Sequence, residues 1–183
     1  MSNIVTDTMI YTGKPDCTGR LQKETSTYEL LDKLGIEYFR LDHRETATIE
    51  DCHEVEKLLE IEICKNLFLR NSAGTAFYML VMPGNKKFYT KAVSMQIGST
   101  RLSFANAEYM EKYLNITPGS VSILGLMNDR EKRVCLLIDK DILKSEYFGC
   151  HPCVNTSSLK IKTNDLLTKF LTYTAHSPIY VEL

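Results

Sequence analysis

Apolar residues along this chain fall into three patterns, and each predicts a kind of element. Helical spacing appears at Tyr28, Leu31 and Leu34, behind Ser26-Thr-Tyr-Glu29, which has the spacing of a capping box, and Gly35 is placed to stop the helix. It recurs at Cys52, Val55, Leu58 and Leu59 behind a cap signal at Thr48-Ile-Glu-Asp51, and at Met110, Tyr113 and Leu114 ahead of the break Thr117-Pro-Gly119. Leu167, Phe170 and Leu171 follow a cap at Asn164, and Ala92 to Ile97 has room for one or two helical turns before Gly98. Continuous apolar runs at Ala76–Met82 and Arg133–Ile138 read as strands covered on both faces. Shorter runs read as strands at Met9–Tyr11, Ile36–Leu41, Asn66–Arg70, Lys87–Thr90, Val121–Met127, Leu159–Ile161 and Ile179–Val181.

Strands and helices are interspersed without a βαβ beat, and the chain shows neither an internal repeat nor a linker. The expected architecture is α/β in the mixed α+β sense, a single-domain mixed β-sheet wrapped by helices over residues 24–183. Residues 1–23, with Gly13, Pro15 and Gly19, are expected to be an irregular lead-in.

Composition narrows the function classes. The 183 residues are 44% hydrophobic and 25% charged, which suits a globular domain with a real core. The net charge of -1 gives no global basic field, so nucleic-acid contact would rest on a local patch. No apolar run is long enough to span a bilayer, and the first residues lack the pattern of a signal peptide. Six cysteines in such a chain are expected to be reduced thiols in the cytoplasm.

Several residues carry chemistry. Lys65 and Asn66 stand at the mouth of an apolar strand, where the lysine either snorkels to water or serves a pocket. Gly119, in the tight turn Pro118-Gly-Ser-Val-Ser122, either simply stops a helix or lets backbone approach a ligand. Cys150-His-Pro-Cys153 has CxxC spacing, yet Gly149 and Pro152 make it a turn. A zinc site there needs two further ligands, which Cys52-His53 would have to supply; the expectation is no metal. His151, between a glycine and a proline, is the residue that stretch presents. Lys86, Lys87, Lys91 and Arg101 with Tyr89 form either a solvated face or a basic rim for a nucleic-acid end. Phosphate-loop, dinucleotide, HExxH and GxSxG signatures are all missing.

Taken in order, Lys65-Asn-Leu-Phe-Leu69, Gly98-Ser-Thr-Arg-Leu-Ser-Phe-Ala105, Pro118-Gly-Ser-Val-Ser122, Gly125-Leu-Met-Asn-Asp129 and Gly149-Cys-His-Pro-Cys-Val-Asn155 resemble the YbaK/prolyl-tRNA synthetase-associated editing domain family, and within it the freestanding alanyl-tRNA(Pro) deacylases. The likeness runs from about Thr25 to the C-terminus. It implies a pocket for the aminoacylated 3′ end of tRNA(Pro) and hydrolysis of wrongly attached alanine, with cysteine as the alternative and a non-catalytic sensing module as another. Lys65, Gly119 and His151 match the family's catalytic positions; Asn66, Ser120, Arg101 and Asn155 are the expected substrate-binding residues. In the family's mechanism the terminal 2′-hydroxyl assists the attacking water, so neither cofactor nor protein nucleophile is expected. Prolyl-tRNA synthetase is a further expected partner; DNA and membrane are not. Ile123 departs from the pattern, because many members carry proline there.

Overall fold

The structure, a computed structural model, describes residues 8–45 and 49–183, with the side chains of residues 49–52 outside the description. The expected cap at Thr48-Ile-Glu-Asp51 therefore lies outside it. The expected single sheet is two sheets around one main core. The first is antiparallel, in the order β1 (Tyr11–Thr12), β2 (Tyr38–Asp42), β8 (Ser157–Lys162), β7 (Tyr147–Cys150). The second runs β5 (Leu102–Phe104), β3 (Lys65–Asn71), β4 (Phe77–Met82), β6 (Val134–Asp139), β9 (Ile179–Val181), and is parallel only where β6 meets β4 and β9. One parallel bridge, Ile63 to Gly149, joins the lead-in of β3 to β7.

The continuous apolar run of β4 is central, as expected: successive residues must enter different cores. Phe77, Met79 and Val81 face the main core with Tyr28, Leu31, Tyr38, Phe148, Leu159 and Ile161. Leu80 and Met82 face a second cluster with Val93 of α3 (Thr90–Gln96) and Leu102. α2 (Ile49–Leu59) lays Val55 and Leu59 on Leu41 of β2 in a third, smaller cluster. α4 (Ala107–Leu114) is capped by Asn106, whose side chain accepts the Tyr109 N–H.

Four expectations need correction. α1 (Gln22–Lys33) begins four residues ahead of Ser26, so the apparent capping box is helix interior. There the Thr25 and Thr27 hydroxyls donate back to the Gln22 and Lys23 carbonyls at 3.0 and 2.8 Å, as mid-helix threonines do. Lys87–Thr90 is no strand: Phe88 packs into the second cluster and Thr90 opens α3. Val121–Met127 is no strand either, for Ile123–Asn128 is a 3-10 turn capped by the Ser122 hydroxyl on the Leu124 N–H. Ile123, Leu124, Gly125 and Leu126 are all buried, and a segment covered on every side carries no periodicity. The last helix starts at Thr163, one residue before the expected cap Asn164, in α5 (Thr163–Asp165); a π-helical stretch (Leu166–Phe170) and α6 (Leu171–Thr174) continue it.

Candidate active site

The site is built where β7 docks against the segment entering β3. A Cβ on Gly149 would lie 2.8 Å from the Glu62 carbonyl oxygen and 3.1 Å from the Ile63 Cα, so only glycine allows this approach. The Cys64 N–H donates to the Gly149 carbonyl at 3.1 Å. Two residues beyond the Ile63–Gly149 bridge, each segment carries one of the expected site residues: Lys65 on one, His151 on the other.

Lys65 and Asn66 open β3 and, by strand alternation, point to opposite faces of the sheet. Lys65 Nζ donates to the Lys86 carbonyl at 2.7 Å, on the face covered by α3, and its charge has no carboxylate partner among the described residues. Asn66 turns to the main core. Its Oδ1 accepts the Ile123 N–H at 3.0 Å and its Nδ2 donates to the Cys64 carbonyl at 3.0 Å. The side chain expected to meet substrate thus ties β3 to the loop after Gly119. It also gives the Ile123 departure a consequence, since a proline there has no hydrogen for this bond.

Gly119 sits at the third position of the turn Thr117–Ser120, closed by the Ser120 N–H on the Thr117 carbonyl at 3.1 Å. Its φ of +87° with proline before it is type II geometry, which calls for glycine. Neither its N–H nor its C=O has a hydrogen-bond partner among the described residues. A Cβ there would be 3.4 Å from Asn155 Nδ2, so this turn abuts the loop that follows His151. Asn155 Nδ2 donates to Glu45 at 2.9 Å. Ser120 is buried, and its hydroxyl is spent within the turn on Thr117. Arg101 precedes β5, which pairs with the far end of β3, six residues along the strand from Lys65.

His151 is held by its hydrogen bonds in one tautomer. Nδ1 lies 2.9 Å from the Ser157 carbonyl, which only accepts, so Nδ1 carries the proton and Nε2 keeps a lone pair. Behind it stands His43, which no sequence motif singles out. His43 Nδ1 is 2.7 Å from the Arg44 carbonyl, so its Nε2 accepts from the Ser158 hydroxyl at 2.9 Å. That hydroxyl oxygen is 3.4 Å from His151 Nδ1. Burial, chiefly, pushes the His151 pKa down to about 4, and the neighbouring His43 adds to the shift. Burial lowers His43 as well. The imidazole of His151 is therefore neutral at pH 7, with an acceptor nitrogen that has no partner among the described residues.

The thiols differ from this. Cys150 and Cys153 are buried, and burial pushes the Cys153 pKa up to about 11 and that of Cys150 well above its ordinary value. Cys64, beside them, is pushed up to about 12 for the same reason. His53, the other residue of the zinc reading, is solvent-facing on α2 and 3.0 Å from Glu56. Among the described residues no cluster of three or more His, Cys, Asp or Glu side chains is arranged to hold a metal. In the expected basic rim, Lys86 is neutralised by Asp139 at 2.9 Å and Asp141 at 2.7 Å.

A two-sheet α/β domain in which a strand-mouth lysine, a free glycine backbone and a neutral histidine are carried on adjoining segments defines a class. The chain belongs to the aminoacyl-tRNA editing domain family of hydrolases, whose pattern matches residues 43–169. It is 35% identical over 136 residues to prolyl-tRNA editing protein ProX of Acetoanaerobium sticklandii, covering 74% of this chain and 83% of that protein. It is 29% identical over 161 residues to prolyl-tRNA synthetase associated domain-containing protein 1 of Danio rerio, covering 87% and 85% of the two chains. A crystal structure of a candidate trans-editing enzyme for prolyl tRNA synthetase superposes with a TM-score of 0.66 over 89% of this chain and 98% of that one; at 14% identity it shows the fold alone. Among the described residues no helix is long and apolar enough to cross a membrane.

Proposed function

We propose that the chain is a trans-acting deacylase that hydrolyses the ester of mischarged tRNA(Pro), with alanyl-tRNA(Pro) as the preferred substrate. The observation that carries this reading is a neutral histidine with a vacant acceptor nitrogen, in a chain 35% identical to a prolyl-tRNA editing protein. The need for such an enzyme is physical: a site built for proline rejects a smaller side chain by only about 1–3 kcal/mol, so a second, hydrolytic site must correct the error.

Each residue has a role in that reaction. Water adds to the ester carbonyl carbon, the bond to the ribose oxygen breaks, and the released hydroxyl takes up a proton. His151 Nε2 accepts a hydrogen bond from the water or the ribose hydroxyl and holds it for attack. The free N–H of Gly119 donates to the carbonyl oxygen as negative charge develops there. Lys65 supplies a cation for a phosphate of the RNA end. The thiols take no part, since burial keeps them protonated and inert. The reaction belongs in the cytoplasm with prolyl-tRNA synthetase, whose product it corrects.

Lys65→Ala, His151→Ala and the wild type are compared for ester loss from alanyl-tRNA(Pro). Both variants are expected to lose at least about 100-fold in kcat/KM, the range of one general base or charge-stabilising donor. Two variants as active as wild type would remove these residues from their roles.

A further inference from the structure

The 45 residues from Ile63 to Ala107 contain six Lys or Arg residues and no Asp or Glu. They carry +6 in a chain of net charge -1, leaving -7 for the remainder. This segment forms β3, β4, α3 and the edge strand β5; by strand alternation Lys65 lies on the α3 face of β3 and Arg70 on the opposite one, and Lys86 is paired with Asp139 and Asp141, so the α3 face carries only part of that charge.

That face exposes aromatic rings. Phe104 of β5 is 61% exposed and Tyr89 is 60% exposed, the two most exposed Phe or Tyr rings among the described residues. Phe88 stands edge-on to Phe104, with ring centroids 6.1 Å apart at 61°. Phe104 pairs with Leu69, and the same face of β3 continues through Leu67 to Lys65, whose amine is held by the residue-86 carbonyl just ahead of Phe88. Lys65, Lys87, Lys91 and Arg101 make no ion pair among the described residues, whereas Lys86 makes two.

We propose that this face is a shelf for the single-stranded 3′ end of the RNA, on which unpaired bases stack on Phe104 and Phe88 while Lys87 and Lys65 neutralise phosphates. It rests on the reading of the chain as acting on aminoacyl-tRNA. Aromatics interleaved with unpaired cations hold single strands through base stacking and phosphate contacts.

The test uses two uncharged RNA hairpins, one with a four-nucleotide single-stranded 3′ end and one blunt, with affinities measured by fluorescence anisotropy. The wild type is expected to bind the overhanging hairpin more tightly. Phe104→Ala should weaken that binding roughly 5- to 150-fold, the effect of one stacked base, and leave the blunt hairpin unchanged. Lys87→Ala should lower the salt slope of the overhanging hairpin by about 0.7. Phe104 lies at the surface, so its variant should melt as the wild type does. An overhang preference that Phe104→Ala leaves intact would overturn the shelf. So would loss of self-association in Phe104→Ala with RNA binding unaltered, which would make the face a contact between copies. Neither RNA is aminoacylated, so these outcomes stand apart from whether the protein hydrolyses esters.

Discussion

Replacing Gly149 by alanine tests the junction that sets the segment entering β3 against β7, the two segments that carry Lys65 and His151. The new Cβ would meet the Glu62 carbonyl oxygen and Ile61 Cδ1 at 2.8 Å each, and the Ile63 Cα at 3.1 Å. The isoleucine methyl can rotate away, but the two backbone atoms cannot, so β7 must retreat. Retreat stretches the Cys64 N–H to Gly149 carbonyl bond, now 3.1 Å, and the Ile63–Gly149 bridge. Overpacking of this kind costs about 1–3 kcal/mol and a lost hydrogen bond about 1 kcal/mol more. The expected loss is about 2–4 kcal/mol, or a fall in Tm on the order of 10 °C for a domain of this length. Urea unfolding should show a lower midpoint with an unchanged m-value. Gly98→Ala is the control: its φ of +63° makes alanine strained, yet nothing lies within 4 Å of the added atom, so its cost should be about 1 kcal/mol. In the folded state Gly149→Ala should also lose kcat/KM, because the segments bearing Lys65 and His151 part. A Gly149→Ala protein no less stable than Gly98→Ala would refute the close-approach argument.

Other expectations follow from the same geometry. Ile123→Pro fits the backbone, since Ser122 is already extended and the first position of a helical turn tolerates proline. It leaves Asn66 Oδ1 without its donor and trims a fully buried core side chain, so a chemical-denaturation loss of at least about 1–3 kcal/mol is expected; no loss would mean that neither the Asn66 bond nor the Ile123 packing contributes. His151 is expected to stay neutral down to about pH 4, so kcat/KM should hold level from pH 8 to 5 and fall below that; an inflection near 6.5 would contradict its environment. Because the unfolded chain takes up the proton first, stability should fall by about 3 kcal/mol between pH 6.5 and 4 on this residue alone, and His43 adds in the same direction. Iodoacetamide at pH 7.5 should leave Cys150 and Cys153 unlabelled until urea unfolds the chain, as peptide mass mapping would show; labelling in the folded protein would reopen the thiol reading.

Much of this was legible in the sequence, for identifiable reasons. The double-sided apolar run of β4 could only be a central strand, and Pro118-Gly119 could only be a tight turn. Where the reading failed, tertiary contacts had overridden local signals. Ser26-Thr-Tyr-Glu29 carries a cap pattern inside a helix, and the buried Val121–Met127 stretch has no period to read. β7 went unseen because Gly149 looks like a turn residue until Glu62 and Ile63 are set against it. His43 and Ser158 are 115 residues apart, and no spacing rule joins them. In the sequence Asn66 stands out only through its neighbour Lys65, and its two internal hydrogen bonds emerge only when β3 meets the Ile123 turn.

Incubating the protein with alanyl-tRNA(Pro), cysteinyl-tRNA(Pro) and prolyl-tRNA(Pro) and following loss of the ester measures the proposed activity itself. Loss is expected to be rapid from alanyl-tRNA(Pro), slower from cysteinyl-tRNA(Pro) and no faster than the spontaneous rate from prolyl-tRNA(Pro). Preference for cysteinyl-tRNA(Pro) would reassign the substrate, and no turnover of any of the three would contradict the enzyme reading itself.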